Sequence, residues 1–121
     1  MANTFKVVTF AAEPASAGTP YVMNTVASST TAVVLGLVLS NINTTAVTAE
    51  VELVSTTSSR GGANNVANGT SFLIKDVSIP TGSSLEILSG GKVVLEAGDK
   101  IQIDCSVADK LSGTLSIMEI T

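Results

Sequence analysis

Hydrophobic and polar residues along this chain alternate with a period of two far more often than they recur at helical spacing. That pattern describes strands with one face against a core and one face toward solvent. The alternation predicts strands at about residues 4–10, 20–26, 31–41, 46–55, 71–79, 84–88, 92–95, 100–107 and 113–121. Residues 47–53 are the clearest case, with Val47, Ala49, Val51 and Leu53 on one face and Thr48, Glu50 and Glu52 on the other. Residues 100–107 repeat it, burying Ile101, Ile103, Cys105 and Val107 and exposing Gln102, Asp104 and Ser106. Turn-forming residues separate the strands: Pro80-Thr81-Gly82-Ser83 and Glu96-Ala97-Gly98-Asp99 both read as tight turns.

The segment at 31–41 departs from this pattern. Ala32-Val33-Val34-Leu35-Gly36-Leu37-Val38-Leu39 is apolar on both faces, as a central strand covered on both sides would be, or a strand at a subunit interface. Gly36 within it marks a bulge or a close backbone contact. Residues 56–70 carry no core signal and are longer than a hairpin loop. They are polar, rich in Gly and Asn, and hold the only arginine, Arg60. Short strands with regular turn signals predict an all-β fold: a single antiparallel β-sandwich, jelly-roll-like or immunoglobulin-like, of eight or nine strands. One domain is expected over 1–121, with a long polar loop at about 56–70. The expected core includes Val34, Leu37, Val51, Leu53, Leu73, Val77, Leu85, Ile87, Val94, Ile101, Ile103 and Ile117.

Composition narrows the function. Hydrophobic residues are 45% of the 121 and charged residues only 13%, against about 25% charged in an ordinary soluble domain. So little charge on so small a domain points to surface covered by partners. The net charge of −4, the scattered Lys and Arg and the scarcity of aromatics argue against nucleic-acid binding. The start of the chain lacks a basic stretch followed by a long apolar one, and no apolar run is long enough to span a bilayer. The expectation is therefore neither secretion nor membrane insertion.

Candidate chemistry is sparse. There is no histidine, the commonest general base and metal ligand. The single Cys105 reads as a buried thiol with no activating partner. Glu50 and Glu52 share a strand face but read as a solvated pair. Glu96-Ala97-Gly98-Asp99 lacks the run of alternating oxygen ligands that Ca²⁺ requires. No enzyme activity, catalytic residue, cofactor or metal is expected. The aromatic residues Phe5, Phe10, Tyr21 and Phe72 are expected mostly in the core. The candidate assembly contacts are the apolar strand, at Val33, Leu35, Leu37 and Leu39, and Arg60, whose guanidinium could fork onto a partner carboxylate.

Three segments, read together, carry a resemblance. They are Asn3-Thr4-Phe5-Lys6 at the start, Ile79-Pro80-Thr81-Gly82-Ser83-Ser84-Leu85-Glu86 in the middle, and Gly91-Lys92-Val93-Val94-Leu95-Glu96-Ala97-Gly98-Asp99-Lys100-Ile101 with the closing Ser116-Ile117-Met118-Glu119-Ile120-Thr121. In this order they resemble a family of small virion structural proteins of tailed bacteriophages, of the marine and cyanobacterial type. The resemblance implies a β-sandwich module without enzymatic activity. It implies a capsid decoration or cement protein in many copies, with a tail, neck or baseplate component as the alternative and a carbohydrate-binding attachment module as a third. The partners it implies are copies of the chain itself, as a homo-oligomer, and the major capsid protein or another virion protein. The implied location is the virion, assembled in the host cytoplasm.

Overall fold

The computed structural model describes residues 2–55, 69–88 and 91–121. All nine elements among them are strands: β1 Asn3–Glu13, β2 Tyr21–Thr25, β3 Thr31–Asn41, β4 Val47–Val54, β5 Thr70–Ile79, β6 Ser84–Glu86, β7 Val93–Leu95, β8 Lys100–Cys105 and β9 Leu111–Ile120. The expected strands are all present, most displaced by one to three residues at their ends.

The strands form two antiparallel sheets. The first runs β1-β9-β3-β6, with β7 also paired to β3; the second runs β2-β8-β4-β5. β6 lies against Val38, Leu39 and Ser40, and β7 against Ala32, Val33 and Val34. Together they form one interrupted edge strand. The pairs β1 with β9, β2 with β8, β3 with β6 and β7, and β4 with β5 describe an antiparallel ribbon rolled up from its middle. The fold is therefore a jelly-roll β-sandwich, which resolves the alternative of an immunoglobulin-like order.

The inward faces supply the core. Leu37 and Leu39 of β3, Ile101 and Ile103 of β8, and Leu111 and Leu115 of β9 are wholly buried. Burial of such a side chain stabilises by about 1.5–3 kcal/mol each. Of the expected core, Val94 is on the surface, because its neighbour Leu95 takes the inward position on β7. Val107 is also exposed, since β8 ends at Cys105 and the chain turns before the alternation can continue. Phe5 and Phe72 are exposed as well, while Phe10 is buried with its ring 5.3 Å edge-on to Tyr21.

Polar residues hold the turns. Buried Asn41 donates from its side-chain amide to the carbonyls of Ile79 (2.8 Å) and Thr45 (3.0 Å), and its Oδ1 accepts from the Asn43 N–H at 2.7 Å. Asp99, wholly buried, accepts the Glu96 N–H at its Oδ2 (3.0 Å). Its own carbonyl accepts from Val26 N–H at 2.9 Å. The 96–99 segment is thus a structural turn that ties β7 and β8 to the end of β2, with Gly98 at a φ of 88° that suits glycine. No helix among the described residues is long and apolar enough to cross a membrane.

Candidate assembly surface

The two outward sheet faces differ in kind. On the second sheet, Glu50 lies opposite Asp104 and Glu52 opposite Gln102. Gln102 Nε2 donates to Glu52 at 2.6 Å, and Lys75 Nζ donates to Glu50 at 3.2 Å. That hydrogen bond is the leading reason the Lys75 pKa lies above its ordinary value. The same ammonium sits 4.4 Å from the centre of the Phe72 ring, within cation–π range. This face is charged and carries its own internal partners.

On the first sheet the registers align Phe5 of β1, Met118 of β9, Val33 of β3 and Val94 of β7 in one row across four strands. Their chain neighbours Ile117, Val34 and Leu95 are buried in the core, so the row points outward. Phe5 is 71% exposed, Val94 57%, and Val7, one step along β1 on the same face, 64%. Beyond the row of Val7, Ser116 and Gly36 lies that of Thr9, Thr114, Val38 and Glu86, which contributes Glu86, the one charged side chain among the outward positions that these ladders align. The first sheet therefore presents an apolar stripe on an almost uncharged face. Exposed apolar side chains gathered in one patch mark an interaction surface more strongly than the same residues scattered.

The proposed contacts on β3 divide. Val33 and Leu35 are half-buried on the outward side, but Leu37 and Leu39 are wholly buried and are corrected to core residues. The cause is a bulge. Val34 pairs with Ile117 and Gly36 with Ser116, leaving Leu35 as an extra residue. An inserted residue reverses the facing of everything beyond it, so odd-numbered side chains point out before Gly36 and in after it. Gly36 is thus the bulge site, and no atom outside its chain neighbours approaches its missing Cβ within 4 Å. Arg60 and nearly all of the 56–70 loop lie outside the described residues. Phe5, Val7, Val94 and Met118 were missed as contacts. Their signal in the sequence is strict alternation with buried partners, legible only once the register across strands is known.

A cleft of about 150 Å³ between the β1–β2 connection and the second sheet brings Glu50, Asp76, Asp104 and Cys105 to its walls. Asp104 Oδ1 already accepts the N–H groups of Gly18 (3.2 Å) and Cys105 (2.8 Å), and Glu50 is held by Lys75. Burial is the main cause that pushes the Cys105 thiol pKa up, away from the reactive thiolate. Among the described residues no group of three or more His, Cys, Asp or Glu side chains is arranged to hold a metal ion.

No family model and no curated protein matches the chain. A solved structure that does match is from work on Bacillus endospore appendages, described there as a novel family of disulfide-linked pili. It is 18% identical, with 99% of this chain and 87% of that one covered and a TM-score of 0.48. The expectation of a bacteriophage capsid decoration protein, with a phage tail component as its alternative, is accordingly corrected: the match is to a bacterial appendage, and no phage protein stands behind that assignment.

Proposed function

We propose that this chain is a non-enzymatic structural subunit that assembles with copies of itself through the outward face of its first sheet. The observation that carries the reading is the aligned row Phe5, Met118, Val33 and Val94 on a face with almost no charge. Covering such a row removes apolar surface from water at about 25 cal/mol per Å², before the cost of association is subtracted. No charged group has to be desolvated at its centre, so the usual penalty for burying charge is absent. The opposite face, with Glu50 facing Asp104, is one that copies of an acidic chain would hold apart.

The test is sedimentation velocity over a wide concentration range on the full chain and on Phe5→Lys. The wild type is expected to shift to larger species with concentration, while Phe5→Lys keeps the same β-type circular dichroism and sediments as a monomer. A wild-type chain that stays monomeric throughout overturns the reading.

A further inference from the structure

The first sheet ends at β1, and the backbone of that strand shows what the edge offers. Ala2 and Thr121 exchange hydrogen bonds in both directions, at 3.3 and 3.0 Å. In an antiparallel ladder such pairs alternate with pairs whose N–H and C=O groups point away from each other. Following the β1–β9 register from Ala2, the residues Asn3, Phe5, Val7 and Thr9 turn their backbone groups away from β9. They turn toward the side of β1 on which no described strand pairs. These are also the outward-facing residues of β1. The exposed side chains of Phe5 and Val7 and the open backbone groups therefore belong to the same residues.

Edge strands are ordinarily protected by proline, bulges, charge or brevity. Here the register is regular from Asn3 to Phe10, and irregularity begins only beyond it. The stretch contains no proline and one charge, Lys6, whose Nζ lies 2.9 Å from Glu119 Oε1. By contrast, the other edge of the same sheet is broken into two short pieces, β6 and β7.

We infer that β1 is a docking strand that pairs antiparallel with β1 of a second copy about a twofold axis at Val7. The inference rests on the self-assembly reading and adds an edge contact to it: pairing through β1 joins two first sheets into one, and the doubled apolar face is the surface that further copies cover. A copy of the chain is the occupant because the edge is its own complement: a twofold makes every antiparallel strand pair isologous. The adjoining outward face also carries too little charge to repel itself, although the chain as a whole has a net charge of −4. Charge also selects the register. An axis at Lys6 would set two ammonium groups opposite each other, and an axis at Phe5 would shorten the ladder. An axis at Val7 pairs residues 4–10 with the same residues of the partner, sets Val7 opposite the partner's Val7 and Phe5 opposite the partner's Thr9, and leaves Lys6 facing the partner's Val8. The two apolar rows then lie on one continuous sheet face.

The test uses the full chain. Val7→Pro removes an N–H that points to the open edge and makes no bond to β9, so the jelly roll is kept while the intermolecular ladder is broken. It is expected to sediment as a monomer at concentrations where the wild type associates. In a second arm, amide hydrogen exchange on the wild type is compared between dilute and associated samples. The Phe5, Val7 and Thr9 amides are expected to slow by roughly tenfold or more on association, while those of Lys6 and Val8, already bonded to β9, change little. If Val7→Pro associates like the wild type, or if the three amides exchange in the assembled form as fast as in the dilute one, edge pairing is overturned. Loss of association in Phe5→Lys alongside either result leaves the self-assembly reading standing. A monomeric wild type overturns both. Should Val7→Pro not fold, the exchange experiment decides alone.

Discussion

Ile103 and Phe5 are both large apolar side chains on alternating strands, yet they stand at opposite extremes of exposure, 0% and 71%. Ile103→Ala is expected to cost about 2–5 kcal/mol in urea unfolding, since it empties a closed part of the core. A cost near zero would mean that β8 has the opposite facing. Phe5→Ser should leave the stability of the dilute monomer within about 0.5 kcal/mol. Cys105 gives a complementary readout. It is 3% exposed and its thiol pKa is raised chiefly by burial, so a thiol-specific reagent at neutral pH should label it slowly in the folded chain and promptly in denaturant. Rapid native labelling would place the thiol at the surface. The burial of Ile101, Ile103 and Cys105 was legible from alternation alone. The burial of Asp99 was not: a carboxylate in a Gly-containing turn reads as solvated, and only the fold shows that it is closed in by the end of β2.

At the level of strands, two glycines in neighbouring ladders make opposite demands. Gly36 sits at the β3 bulge with open space where a Cβ would go and with no positive φ. Gly36→Ala is therefore expected to be neutral or to stabilise by about 0.4–1 kcal/mol, through the entropy of the unfolded chain. Gly113 of β9 lies opposite Phe10 of β1, and a Cβ there would overlap the Phe10 ring. Gly113→Ala should destabilise by about 1–3 kcal/mol, as overpacking does. Thermal unfolding of the two variants side by side checks both signs. The same bulge explains the limits of the sequence reading. The bounds of β3 at Thr31 and Asn41 are plain in its composition. Which of its side chains face outward is not, because an extra residue at Leu35 leaves the apolar pattern unchanged while reversing the face. In β5, register shifts opposite Ala49, Val51 and Glu52 spoil the alternation in the same way. Lys75 and Asp76 fall together opposite Glu50, and Asp76 takes a φ of 51°. The assembly row was hidden for a related reason. Its members come from four strands spread from residue 5 to residue 118, and nothing along the chain records that they share a line.

For the whole molecule, the division of charge between the two faces sets the response to salt. The net charge is −4, so copies approaching one another repel weakly at long range, and salt screens that repulsion. The contact itself is apolar and hydrogen-bonded. Sulfate, excluded from protein surface, strengthens burial of that kind. The near ion pair, Lys6 with Glu119, lies within one copy and requires no exchange between copies. Association should therefore tighten as sodium chloride is raised from about 0.02 to 0.2 M, where the Debye length falls below about 10 Å. It should tighten further when sulfate replaces chloride at equal ionic strength. An assembly held by ion pairs between copies would respond in the opposite direction, loosening as salt screens the attraction. Sedimentation velocity of the wild type across this series separates the two. Weakening with added salt would shift the contact away from the uncharged face of the first sheet and toward the charged face where Glu50, Asp104 and Lys75 lie.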